Sequence, residues 1–192
     1  VGPSTRCQRK RWSENGDPFS HPLIYFLIVL RKVSSVVEVR LVPLNKKEFE
    51  ATRAAGVKRY ADENVKVGYW RPGEALRRSE TVHANLLPDG LRTEGHHFYK
   101  AVDVETEKRV GHIWLKVESG DDRKGFIYDV YIAEGERGKG YGRAMMLALE
   151  AKAKRMKIDS LGLHVFAYNE IAQHLYSSLG YEVKSMNMMK GL

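Results

Sequence analysis

Residues 126–142 read FIYDVYIAEGERGKGYG, and the order of features in this stretch decides how the rest of the chain is read. The first half alternates β-branched and aromatic residues as a strand does. The second half sets glycines at 138, 140 and 142 among Arg137, Lys139 and Arg143, directly ahead of the run AMMLALE, which reads as a helix over about residues 142–157. A helix N-terminus carries unpaired amides and about half a positive charge. A loop entering it is therefore suited to phosphate oxygens, with glycines admitting close backbone approach and basic side chains adding charge-assisted hydrogen bonds. An ordinary basic surface turn has the same composition, so both readings stand at this point. The spacing excludes two familiar nucleotide loops: GxGxxG would need glycine where Arg143 stands, and GxxxxGK[ST] finds no matching lysine and hydroxyl.

Upstream, VEVRLVPL (37–44) reads as a strand ended by Pro43, and Asn45 is a plausible N-cap for a helix through residue 65. That helix brings Phe49, Val57 and Tyr60 near one face, although Arg53 interrupts the stripe and Gly56 weakens it. GEALRRSETVHANLLPDG (73–90) reads as a second helix with Ala75, Leu76, Val82, Leu86 and Leu87 apolar. HHFYKAVD and RVGHIWLKVE flank the polar VETEK as an antiparallel hairpin. Downstream, SLGLHVFA (160–167) reads as a strand, NEIAQHLYSSLG (169–180) as a helix, and YEVKSMNMM (181–189) as a last strand. Strands interleaved with helices, together with a hairpin, predict a mixed sheet with helices on both faces.

The chain has 192 residues, 43% hydrophobic and 29% charged, which suits one compact domain. Its net charge of +8 suggests a polyanion partner. The distribution weakens that reading, because residues 1–36 hold six basic against two acidic residues and residues 37–192 hold 26 against 22, a surplus of four in each part. Residues 1–36 are read as an N-terminal extension, a non-native or disordered arm or an extra edge strand, and 37–192 as the domain. The apolar run at 23–30 is far short of the roughly 20 residues that span a bilayer, so no membrane association is expected. Cys7 is the sole cysteine, which rules out an intrachain disulfide and fits a cytoplasmic setting. His96 and His97 lack further partners at ligand spacing, so no metal is expected.

Arg-x-x-Gly-x-Gly at 137–142, after a strand and before a helix, resembles the acetyl-CoA signature of the GNAT superfamily of N-acetyltransferases. A second stretch, LHVFAYNEIAQHLYSSLGYEV, resembles the same family through Asn169, Ala172, Leu175, Tyr176, Gly180 and Tyr181. The likeness runs from about Val39 to the C-terminus. It implies an α/β fold of the GNAT type: a central, mostly antiparallel twisted sheet with a splayed strand pair and helices on both faces. Strands 126–133 and 161–166 would diverge, with pantetheine between them pairing with the backbone near Val130, Tyr131 and Ile132. The pyrophosphate would rest on the amides of Gly138, Lys139, Gly140, Tyr141, Gly142 and Arg143, supported by the side chains of Arg137 and Lys139. The implied activity is direct transfer of acetyl from acetyl-CoA to a small-molecule or peptide amine, by a monomer or homodimer.

The chemistry sets its own requirements. A lysine-like amine is only about 0.04% neutral at pH 7, so its deprotonation costs about 4.6 kcal/mol without help. The departing thiolate needs a proton, and a tyrosine still holds one at neutral pH. The resemblance gives Tyr176 that role; the residue read alone is equally a helix tyrosine packed on a strand. Asn169 is read both as a helix cap and as a pantetheine contact. No base is legible: Asp129 lies beside the cofactor strand with a structural pairing as the other reading, Glu118, Asp121, Asp122, Glu134 and Glu136 border turns, and His112 and His164 read as packed strand histidines. Trp70, Phe98, Tyr99 and Trp114 are acceptor-pocket candidates with core packing as the default. Two further functions remain in view, a basic nucleic-acid-binding module, against which the near-balanced charge of the domain speaks, and a non-catalytic acyl-CoA-binding domain of the same fold.

Overall fold

The computed structural model describes residues 37–120 and 122–190. The extension 1–36, with Cys7 and the edge strand considered for it, and Asp121 lie outside the described residues. Strands β1 (Val39–Pro43), β2 (His96–Asp103), β3 (Arg109–Val117) and β4 (Lys124–Ile132) are successive antiparallel neighbours, and β5 (Ser160–Leu163) joins β4 in parallel. Helices α1 (Lys46–Lys66) and α2 (Pro72–Leu86) connect β1 to β2, α3 (Tyr141–Arg155) is the crossover that a parallel pair requires, and α4 (Glu170–Ser178) follows β5.

Strand alternation divides the apolar residues between two layers. Tyr99, Ala101, Ile113, Leu115 and Ile127 meet Met145, Met146 and Leu149 of α3 on one face. Phe98 and Trp114 meet Phe49 of α1, Leu44 and Leu87 on the other. Three of the four aromatics considered for an acceptor pocket, Phe98, Tyr99 and Trp114, are therefore core residues, and Trp70 packs edge-on against Tyr60.

The α1 start follows the sequence closely. The Asn45 side chain accepts from the Glu48 amide at 2.9 Å while the Glu48 carboxylate accepts from the Asn45 amide at 2.9 Å, a reciprocal capping box. The expected apolar face of this helix is not the observed one: Phe49, Ala61 and Asn64 are buried, whereas Val57 is only half-buried and Tyr60 is exposed. In α2, Ala75, Ser79 and His83 form the buried face and Leu76 is exposed. Ser79 donates to the Val57 carbonyl at 2.7 Å, so a small hydroxyl joins the two helices where the sequence pattern pointed to leucine.

Two features of β4 shape everything that follows. Trp114 stands opposite Asp129 but Leu115 opposite Ile127, so Tyr128 is an extra residue in the strand, a β-bulge. Parity changes there: Ile127 packs with the α3 layer, while Asp129 and Tyr131 turn toward α1. Second, β5 pairs with β4 only along Lys124–Ile127, leaving residues 128–132 with β3 as their sole strand neighbour among the described residues.

One expected element is absent. Residues 181–190 form no strand, and Val183, Met186, Met188 and Met189 are exposed. Alternation tells which side chains would share a face but supplies no partner. Here the chain leaves α4 through Gly180 at φ +90°, and only Tyr181 of this segment packs on the core. The preceding strand is also shorter than read, ending at Leu163.

Gly111 faces the end of β4, where a Cβ would stand 2.2 Å from the Tyr131 carbonyl oxygen, a backbone atom that cannot swing aside. Gly111→Ala should lower stability by about 1–3 kcal/mol in urea unfolding; an unchanged midpoint would mean that β4 yields freely at this point.

Candidate active site

The glycine loop closes α3 without any side-chain cap. Gly138 and Gly140 adopt φ +75° and +89°, and Gly140 is the N-cap. Among the described residues, no atom lies within 4 Å of a Cβ built at Gly138, and at Gly140 nothing is nearer than Val37 at 3.8 Å, so these residues leave the loop's outer side open. The Arg137 amide bonds to the Glu134 carbonyl, and the next backbone amide with an acceptor is that of Ala144, bonded to the Gly140 carbonyl at 3.1 Å. Among the described residues, the six amides at 138–143 thus have no hydrogen-bond partner. Unpaired amides are normal over a first helical turn; here the glycine turn extends the row.

The basic side chains around the loop already have protein partners. Arg137 donates from Nε to the Ile132 carbonyl at 3.2 Å with its guanidinium 5.7 Å from the Tyr131 ring centre. Lys139 and Lys108 both pair with Glu136, whose carboxyl they hold below the usual carboxylate range, chiefly by hydrogen bonding. Arg143 donates to Ser178 Oγ at 2.9 Å, tying α3 to α4. Tyr141 turns inward, donating to Asp103 at 2.9 Å, a bond that raises the phenol's pKa. A Cβ at Gly142 would press on Leu175 at 3.2 Å, so Gly142 serves helix packing.

On the diverging half of β4, Val130 and Ile132 lean on the α3-side core and Tyr131 stacks on His112 at 5.1 Å. Asn169 accepts from the Ala172 amide at 3.2 Å, the helix-cap role; its side-chain amide nitrogen has no partner among the described residues. Tyr176 is half-buried against the α3-side core and 5.9 Å from Tyr181 between ring centres. Burial, and then the charge of Asp129, raise its pKa and keep its proton on at neutral pH.

The bulge gives Asp129 a setting that alternation concealed. Its Oδ2 accepts from Arg59 at 2.5 Å and lies 2.9 Å from His112 Nε2, and Arg59 also covers the Tyr131 ring at 4.8 Å. Burial disfavours the Asp129 charge, but the His112 hydrogen bond and the Arg59 guanidinium outweigh it and hold the carboxyl below its ordinary range. Asp129 is thus a doubly paired anion that braces β4 against α1. His164 and Glu134 are exposed, and His96 is buried, accepting from Trp114 Nε1 at 2.9 Å with its pKa lowered to about 4, first by burial. Among the described residues no group of three His, Cys, Asp or Glu is placed to hold a metal, and no helix is long and apolar enough to cross a membrane.

β4 parts from its parallel neighbour beside the glycine turn, the splayed strand pair that the resemblance to the GNAT family implies. Residues 63–181 match the Acetyltransferase (GNAT) family. The uncharacterized N-acetyltransferase YycN of Bacillus subtilis is 37% identical over 155 residues, covering 80% of this chain and 99% of that protein. Its crystal structure superimposes with a TM-score of 0.77 over 80% of this chain and 98% of that one. YdgE, a second uncharacterized N-acetyltransferase of the same organism, is 34% identical over 79% of this chain and 97% of its own length. The chain belongs to the GNAT family of N-acetyltransferases, acyltransferases that act on amines.

Asp129→Asn removes a partly enclosed charge from between Arg59 and His112, so a loss of about 1–3 kcal/mol is expected at neutral pH. Because the folded pKa lies below the unfolded one, the stabilisation is present above about pH 4 and fades as pH falls through the folded value. The gap between wild type and variant in urea unfolding should therefore narrow below about pH 4; a constant gap would place the effect in packing.

Proposed function

We propose that this enzyme transfers the acetyl group of acetyl-CoA directly to a primary amine. The observation that carries the reading is the row of amides at 138–143, without partners among the described residues, where the positive end of α3 emerges. Six adjacent donors and open space above two left-handed glycines fit a diphosphate, whose oxygens accept several hydrogen bonds at once. Among the described residues the edge of β4 at Val130, Tyr131 and Ile132 lacks a strand on the side where pantetheine fits, and the amide nitrogen of Asn169 has no competing acceptor.

Acetyl-CoA supplies an activated acetyl group as its thioester. The amides of Gly138, Lys139, Gly140, Tyr141, Gly142 and Arg143 hold the diphosphate, with Arg137 and Lys139 contributing positive charge while anchored to Ile132 and Glu136. An unpaired amide on the outer edge of β4 supports negative charge developing on the carbonyl oxygen. Tyr176, kept protonated by its surroundings, gives its proton to the departing sulfur.

Thiol release from acetyl-CoA across small amines, aminoglycosides, polyamines and peptide amines, with calorimetry of coenzyme A binding alongside, tests this scheme. Tyr176→Phe should lower turnover about 100-fold and leave coenzyme A affinity unchanged; unaltered turnover would remove Tyr176 as the acid. Gly140→Val, forcing a β-branched residue to φ +89°, should weaken coenzyme A binding about tenfold or more.

A further inference from the structure

We infer that Glu63 of α1 is the carboxylate that receives the acceptor's ammonium group and takes its proton. The inference rests on the reading of the gap between β4 and β5 as the transfer cleft. Three enclosed side-chain oxygens lack a hydrogen-bond partner among the described residues: Glu63 Oε2, Glu150 Oε1 and the Tyr181 hydroxyl. Glu150 and Tyr181 belong together, since the Glu150 charge contributes to raising the Tyr181 phenol after burial, and both lie on the α3 side of the sheet. Glu63 is the orphan of the opposite side.

Its place on α1 explains what it faces. Arg59 is one turn before Glu63 and Lys66 nearly one turn after it, so the three share a helix face. Arg59 reaches β4, at Asp129 and Tyr131. Lys66 reaches past the end of β5, its Nζ lying 3.5 Å from the centre of the Tyr168 ring. Glu63 therefore sits on α1 between a contact to β4 and a contact to the segment that follows β5. Its neighbours there are committed elsewhere: Arg59 to Asp129, Asp129 also to His112, and Lys66 to an aromatic face. An enclosed carboxylate oxygen with no donor is costly to maintain, and a cationic primary amine is the ligand that satisfies it. Asp129, neutralised by Arg59, is not available for that task.

The proton balance closes. One N–H bond of the ammonium breaks as an O–H bond forms on Glu63, and the freed lone pair attacks the thioester carbonyl carbon. The C–S bond breaks, the sulfur takes the Tyr176 proton, and Tyr176 recovers the second proton shed by the nitrogen. Glu63 returns its proton to water, so each transfer releases one proton.

Carbon-13 NMR of the carboxyl carbons, on glutamate-labelled enzyme saturated with coenzyme A and with the Glu63 signal identified by its loss in Glu63→Gln, tests this contact without knowledge of the natural acceptor. The probe is n-butylammonium chloride, with n-butyltrimethylammonium chloride at matched ionic strength as a cation that has no N–H to donate. A saturable shift of the Glu63 signal with the first and none with the second is expected. A signal that follows neither, or both alike, overturns the assignment. Calorimetry with coenzyme A on the same samples reports separately on the donor site, so failure of the wider reading is distinguishable.

Discussion

The structure turns on the half of β4 that the sheet does not finish. Residues 128–132 keep β3 on one side and, among the described residues, have no strand on the other, because β5 stays in register only along Lys124–Ile127. Backbone donors and acceptors left on such an edge must find partners. The parting strands make a slot in which an extended amide-bearing chain can complete the ladder, as β-augmentation does elsewhere. Holding that edge open requires support from behind. Gly111 gives it by letting β3 approach the Tyr131 carbonyl, and the Arg59–Asp129–His112 group gives it by fastening the far side of β4 to α1 and β3.

Charge is arranged along the same strand with little left over. Arg137 folds back onto the last carbonyl of β4, Lys139 and Lys108 converge on Glu136, and Arg143 ties α3 to α4. The loop's amides have no partner among the described residues, while its basic side chains are paired. That arrangement suits a ligand whose charge is spread over several oxygens, because fixed backbone donors lose no rotamer freedom on binding. A surplus of positive charge in the composition says much less: Arg137, Lys139 and Arg143, the basic side chains of the loop itself, are engaged by a carbonyl, an acid and a hydroxyl of the domain.

Much of this was legible in the sequence where the determinants are local. Alternating glycines before an apolar helix read correctly as a turn opening a helix, since each constraint falls within a few residues, and the Asn45 and Glu48 pairing at the start of α1 is of the same kind. The setting of Asp129 was not legible, because the bulge at Tyr128 reverses the strand's parity and because Arg59 lies 70 residues away. The charged positions 59, 63 and 66 were visible at helical spacing, but a charged helix face is ordinarily solvated, and only the folded chain brings it against β4 and Tyr168. The segment 181–189 misled in the opposite sense, with a strand-like pattern and no strand beside it.

The central claim is that the main-chain amides at 138–143 grip the donor's diphosphate. Amide proton–nitrogen NMR spectra recorded during titration with coenzyme A and, separately, with pantetheine test it most directly. The account predicts large downfield proton shifts at 138–143 with coenzyme A and only small ones with pantetheine, which lacks the phosphates. Amides at 138–143 that remain unmoved while coenzyme A binds would contradict it.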